Sequence, residues 1–272
     1  MTLLEIPYPD IDPVLIRIGS LQIKWYGLLF VTGFLVGNWL LHRLSKEGRL
    51  KTDKDGVGDL LVAIMIGVIV GGRLGYVLFY DLPKFLADPL EIIKIWHGGL
   101  SFHGGLIGGF GAVVVFARRR NIATMNVMDA GAAAAGPGIF FVRCANFING
   151  ELWGKPTDVP WAMVFPRADA QPRHPSQLYE GLLEGVLLFL VLWSFRNRSF
   201  FKPTGRLAGC FLTGYATIRF LVEFVREPDA HLGPVLGPLS MGQVLSIGMF
   251  ICGLATLWIA GRADRKGSVD TA

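Results

Sequence analysis

Charge is scarce in this sequence. Asp, Glu, Lys and Arg together make up 17% of its residues, against about a quarter in an ordinary soluble domain. With 52% hydrophobic residues and a mean hydropathy of +0.47, that scarcity excludes a water-solvated globule and predicts an integral membrane protein. Cysteine is scarcer still. Cys144, Cys210 and Cys252 all fall in or beside apolar segments, with no CxxC spacing and no histidine at metal-ligand distance, which argues against a metal or disulfide role. They read as small buried hydrophobes. The opening MTLLEIPYPDIDP has acids and prolines where a leader needs a basic and then an apolar region, so no cleavable leader is expected. There is no GxSxG and hence no sign of an acyl-enzyme nucleophile.

What the chain does have is long apolar runs. Seven stretches approach the roughly 20 residues that a helix needs to cross a hydrocarbon core: 25–42, 58–79, 98–117, 124–143, 178–195, 207–225 and 241–260. The expected fold class is therefore an all-α integral membrane protein of seven transmembrane helices, one membrane domain over 1–272. Fifteen Lys and Arg lie in the short connections after the first, third and fifth spans and in the tail, against eight spread over the longer segments of the other side. By the positive-inside rule this predicts the N-terminus outside and the C-terminus in the cytoplasm, and it explains the net charge of +5 by topology, with no nucleic acid. Residues 1–24 and 81–96 mix apolar, charged and aromatic residues as interfacial helical arms do. Residues 145–177, rich in Pro, Gly and Trp, are too long for a turn and predict a small extracytoplasmic head. Gly136-Pro137-Gly138 predicts a bend in the fourth helix.

An ionisable group inside a membrane is a site hypothesis by default. With the orientation set as above, these groups fall at one level, toward the outer leaflet. Tyr26 opens the first span, Arg73 and Tyr76 occupy the outer half of the second, and His97 and His103 open the third. Arg143, Asn146, Asn149 and Glu151 end the fourth, His174, Gln177 and Glu180 open the fifth, and Arg219, Glu223 and Arg226 stand in the sixth. Arginine is permanently charged and grips phosphate with a planar fork, so arginines at headgroup depth suit an anionic phospholipid. Arg219, Glu223 and Arg226 share one helical face by their i, i+4, i+7 spacing; a structural ion pair between helices is the other reading of this trio. Gly104 and Gly108, and Gly105 and Gly109, form GxxxG pairs that permit close helix approach. His97 and His103, six apart, are not the metal pair of a zincin. His103 is the candidate for proton transfer, and a capping or anchoring role suffices for His97.

The same residues carry a resemblance. HGGLSFHGGLIGG (97–109), RCANFINGELWG (143–154), HPSQLYE (174–180) and YATIRFLVEFVREPD (215–229) closely resemble the bacterial prolipoprotein diacylglyceryl transferases, from about Tyr26 to the seventh span. The resemblance implies seven transmembrane helices with two arms and a head. It also implies transfer of the diacylglyceryl group of phosphatidylglycerol to the lipobox cysteine thiol of a preprolipoprotein signal peptide, with release of glycerol phosphate. It gives functional weight to Tyr26, His103, Arg143, Asn146, Glu151, Gly154, Arg219 and Glu223.

A thioether formed by thiolate attack on a glycerol carbon requires loss of the thiol proton and support for the departing phosphate. His103 is the expected base and Arg143 with Arg219 the expected clamp. Tyr26, Asn146, Asn149, Glu151, Gly154, Glu223, Arg226 and Arg73 are expected to hold lipid or substrate. No metal and no cofactor are expected. Phosphatidylglycerol, preprolipoprotein and surrounding membrane lipid are the expected partners, in the inner membrane of a bacterium with the site facing the periplasmic leaflet. A lipid transporter or flippase would need polar groups at cytoplasmic depth, where the spans offer little besides Asp129. A binding protein without turnover is distinguished by assay alone.

Overall fold

A computed structural model of the chain describes residues 6–9, 11–228 and 234–269; the remainder of the first arm, including residues 1–5, lies outside the described residues. The chain is mostly helical and clusters into two compact units, residues 1–40 with 129–272, and residues 41–128. In order the elements are β1 (Ile6–Pro7), β2 (Val14–Ile18), β3 (Leu21–Lys24), α1 (Trp25–Lys46), α2 (Lys54–Phe79), α3 (Leu82–Ala87), 3-10 turns at Pro89–Ile93 and Ile95–His97, α4 (Phe102–Arg119), α5 (Thr124–Ala134) and α6 (Gly136–Ile148). Then follow β4 (Met163–Val164), β5 (Pro172–Arg173), α7 (Ser176–Glu180), a π-helical turn Gly181–Leu187 that leads into α8 (Leu188–Phe195), α9 (Arg206–Val222), β6 (Pro234–Leu236), β7 (Leu239–Ser240) and α10 (Met241–Val269).

Helices occupy all seven expected stretches. Four are long and apolar enough to cross a membrane, namely Trp25–Lys46, Lys54–Phe79, Ser176–Phe195 and Met241–Ala263, and the pair α5 and α6 counts as a fifth when taken as one bent span. α4 carries Arg118 and Arg119 in its last turn, and α9 has only 17 residues. The lipid-solvated reading fits the surface: Phe30, Val31, Leu35, Trp39, Leu106, Ile107 and Phe110 all stand exposed along helices, an apolar area that water would penalise.

The first arm is not the interfacial helix expected of it. Over its described part β2 pairs antiparallel with β3, with Ile18 opposite Leu21 and Gly19 at φ 59° in the two-residue turn. Alternating side chains on either side of a Gly-Ser dipeptide make a hairpin, because only glycine takes the positive φ cheaply. The segment 81–96 is helical, but only in the short pieces named above.

In the second unit α2 and α4 meet backbone to backbone. A Cβ on Gly71 would lie 2.7 Å from the Gly108 Cα, and one on Gly75 2.8 Å from the Gly104 Cα. In lipid, where burial of apolar area gives no drive, such contact is what holds helices together. Gly71→Leu is therefore expected to lower the thermal stability of the detergent-solubilised protein by about 1–3 kcal/mol. Gly111→Ala, in α4 with nothing within 4 Å of an added Cβ, is expected to leave it unchanged or raise it slightly. Equal effects would show that the glycine contact does not matter.

In the first unit, Gly33 of α1 abuts α6, a Cβ there lying 3.0 Å from the Gly138 Cα. Asp129 is the buried N-terminal cap of α9, accepting from the amides of Gly205 at 2.6 Å and Ala208 at 2.8 Å. Asp129 thus satisfies helix-end donors that lipid cannot.

Candidate active site

Three glycines build the site in the first unit. α5 and α6 meet at a 46° bend at Ala135, immediately before Gly136-Pro137-Gly138 and not beyond it, because Pro137 lacks the N–H that would bond back to the preceding turn. There a Cβ on Gly136 would strike the Gly185 carbonyl at 2.5 Å. A Cβ on Gly185 would lie 2.9 Å from the Phe140 nitrogen, and one on Gly181 3.3 Å from the Arg143 Cβ. α6 therefore lies against the π-helical turn at backbone distance, and Arg143 reaches two carboxylates that follow one another on the facing element. Its Nη2 is 2.6 Å from Glu180 and 4.0 Å from Glu184. Widened π turns recur at functional sites because they re-aim side chains within a helix.

α9 supplies the other side. Arg219 is 3.0 Å from Glu180 and 2.8 Å from Glu223, and Arg226 is 3.6 Å from Glu180 and 3.8 Å from Glu223. Glu180 thus serves all three guanidiniums. The Ser240 hydroxyl donates to Glu223 at 3.0 Å, and Gly242 leaves room for that carboxylate, since a Cβ there would fall 2.6 Å from it. Glu180 and Glu184 are wholly buried, whereas the Arg143 and Arg219 side chains keep 19% and 14% of their surface exposed. The arginines are both paired and still approachable. Removing the shared, fully buried charge should be costly: Glu180→Gln is expected to destabilise the protein by about 3–5 kcal/mol, because three cations would lose their common partner. An unchanged melting temperature in detergent would show that the pairing is not structural.

Beyond Arg143 the chain turns sharply. α6 ends at Ile148 with Asn149 as its cap, and Gly150 and Leu152 take φ of 59° and 58°. The turn is held from four directions. Asn146 and Asn149 donate to one Glu151 carboxylate oxygen at 2.9 and 3.2 Å, and the Gln177 amide donates to the Glu151 carbonyl at 2.6 Å. The Ser176 hydroxyl donates to the Leu152 carbonyl at 2.9 Å. The Tyr8 hydroxyl reaches the Phe147 and Ile148 carbonyls at 2.5 and 2.9 Å, covering helix-end acceptors. Arg143 Nη1 stands 3.5 Å from the Asn146 Oδ1. Gly154 is a place of close approach, where a Cβ would lie 2.6 Å from both the His174 Cβ and the Val225 carbonyl. Behind it Trp161 Nε1–H donates to the Tyr179 hydroxyl at 2.6 Å, and that oxygen is 3.1 Å from His174 Nδ1. Burial pushes the His174 pKa down, which favours the neutral ring.

The structure thus brings Arg143, Asn146, Asn149, Glu151, Gly154, Arg219, Glu223 and Arg226 into one unit, with Tyr26 in the first turn of α1. The second unit holds Arg73 and His103. Arg73 is reassigned: its guanidinium donates to the carbonyls of Glu91, Ile92, Gly98 and Gly99 at 2.5–3.0 Å, pinning the arm to α2 and leaving no free edge for lipid. Ser101 caps α4 and puts His103, exposed, in its first turn, at the opening of the third stretch. His97 Nδ1 is 3.0 Å from Glu91, the anchoring role that was its simpler reading. Hydrogen bonds from Lys94 and then His97 hold the Glu91 carboxyl down to about 2. Glu184 was missed among the site residues. Its signal was there, four residues after Glu180 in the otherwise apolar LYEGLLEGVLLF, which is the same-face spacing already used for Arg219 and Glu223.

A family model described as prolipoprotein diacylglyceryl transferase matches residues 13–259. The chain is 48% identical over 262 residues to a protein of Nitratidesulfovibrio vulgaris (strain DP4), covering 96% of this chain and 98% of that one. It is 50% identical over 266 residues to one of Vibrio vulnificus (strain YJ016), covering 97% of each, and 50% identical over 247 residues to one of Vibrio cholerae serotype O1 (strain M66-2), covering 91% and 90%. All three bear the name phosphatidylglycerol–prolipoprotein diacylglyceryl transferase.

Proposed function

Because this chain belongs to the prolipoprotein diacylglyceryl transferase family, we propose that the arginine–glutamate cluster is where it handles the lipid phosphate. The protein is a transferase that moves the diacylglyceryl group of phosphatidylglycerol to prolipoprotein. The acceptor is the lipobox cysteine thiol of the signal peptide. Its thiolate attacks the glycerol carbon that bears the phosphate oxygen, the carbon–sulfur bond forms as the carbon–oxygen bond breaks, and glycerol phosphate leaves with the electron pair. The membrane arrangement proposed with it is seven spans, N-terminus out and C-terminus in, in a bacterial inner membrane, with the chemistry at the periplasmic leaflet. The fifteen cations of the short connections and the tail support that sidedness.

The observation that carries the reading is Glu180 between Arg143 and Arg219, at 2.6 and 3.0 Å. One buried carboxylate fixes two guanidiniums relative to each other, and each guanidinium has five N–H donors, more than its acidic partners occupy. The remaining edges suit the oxygens of a phosphodiester, whose negative charge grows at the departing oxygen as the bond breaks. Asn146 and Asn149 orient Glu151 beside them, Glu223 holds Arg219 and Arg226, and Tyr26 is the proposed contact from α1. His103 is the proposed acceptor of the thiol proton. The test is direct: purified protein with phosphatidylglycerol vesicles and a lipobox peptide should yield thioether-lipidated peptide and glycerol phosphate in equal amounts. Lipid movement without either product would favour a transporter.

A further inference from the structure

The amide of Gln177 is only 1% exposed, and its two ends are treated differently. Nε2 donates to the Glu151 carbonyl at 2.6 Å. Oε1 has no hydrogen-bond donor among the described residues. The orientation is forced, since a flipped amide would set oxygen against oxygen. A buried acceptor left unmade is destabilising, and a donor that arrives with the substrate is one partner that would satisfy it. Gln177 precedes Glu180 in α7 by three residues, a rise of roughly 4.5 Å. That is about the length of a three-carbon polyol, and it points from the arginine pair toward the 149–175 segment, away from the apolar length of the helix.

We propose that Gln177 Oε1 accepts a hydrogen bond from a hydroxyl of the lipid's glycerol headgroup and is a specificity-determining residue of the transferase. The inference rests on the phosphatidylglycerol reading of this site. Of the groups near the reacting bond, the phosphodiester and the ester-linked glycerol carry no donor, whereas the headgroup glycerol carries two hydroxyls. A site that hydrogen-bonds a substrate hydroxyl rejects the analogue without it, because the acceptor then stays buried and unpaired.

The experiment compares phosphatidylglycerol with phosphatidylpropanol, which has the same phosphate and acyl chains but a propyl group in place of the glycerol headgroup, as donors to a lipobox peptide. The native enzyme should prefer phosphatidylglycerol by about 10- to 100-fold in kcat/KM. Gln177→Met, of similar length but without the acceptor, should bring that ratio close to one, chiefly by loss of phosphatidylglycerol turnover. Equal use of both lipids by the native enzyme overturns the inference and leaves the transferase reading standing. No product from either lipid sinks the transferase reading itself. A ratio unchanged in Gln177→Met overturns the inference by placing the discrimination elsewhere, with a main-chain N–H of the peptide as the partner of Oε1. If Gln177→Met and Gln177→Asn both lose the two activities in equal proportion, the residue is structural and the inference is again overturned.

Discussion

Replacing Arg143 by lysine is expected to abolish transfer almost as fully as replacing it by alanine, with kcat/KM reduced about 10²–10³-fold in both, the loss typical for one pre-aimed donor to a developing oxyanion. The geometry separates two demands on this residue. Glu180, 2.6 Å from Nη2, needs only a positive charge, and an ammonium ion supplies one, so Arg143→Lys should keep much of its melting temperature. The phosphate needs a second edge of the same planar group. A guanidinium offers a fixed fork there, and lysine is a point charge with no second edge to present. Stability retained with activity lost is therefore the signature of a clamp. Near-normal turnover by Arg143→Lys would remove the clamp and leave Arg143 a structural counter-ion for Glu180 and Glu184.

The second large effect is expected at His103. His103→Gln preserves volume and hydrogen bonding but cannot carry away a proton, and general base catalysis is worth about 10²–10⁴-fold. Binding of phosphatidylglycerol should survive. The deficit should also shrink as the pH rises past about 8.5, where a free cysteine thiol ionises without help. His103 stands exposed in the first turn of α4, so glutamine there disturbs little packing and the kinetic effect can be read without a folding defect. His97→Gln should cost far less turnover, because its contact is with Glu91 of the arm. A His103→Gln enzyme that no longer binds lipid, or whose deficit is the same at alkaline pH, would make the residue a lipid contact.

Much of this was visible before the fold was. Apolar runs long enough to cross a bilayer can hardly be anything but helices in lipid, where each backbone group must find its partner within its own segment. Gly136-Pro137-Gly138 announced a bend because proline cannot donate the bond that would keep the helix straight. The ionisable residues within the apolar stretches stood out because a charge in lipid is costly. The β2–β3 hairpin was misread because its composition is that of any interfacial segment. The decisive signal was local, a Gly-Ser dipeptide between alternating residues, and it carries less weight in a short run than overall amphipathicity does.

Sequence alone, then, determined the membrane solvent and the helices, and it singled out the polar residues within the apolar stretches. It could not determine what each of those residues holds. Arg73 and Arg143 are alike in the sequence, each a single cation within an apolar span, yet one is tied to backbone carbonyls of the arm and of Gly98 and Gly99, and the other to Glu180. The difference lies in which backbone can come close. Gly98 and Gly99, at φ 82° and 80°, turn their carbonyls onto Arg73, while Gly181 and Gly185 let α6 settle against a π turn and carry Arg143 to the carboxylates. A charge in lipid must be matched by whatever it meets, and what it meets is decided by helix contacts between segments far apart in the chain.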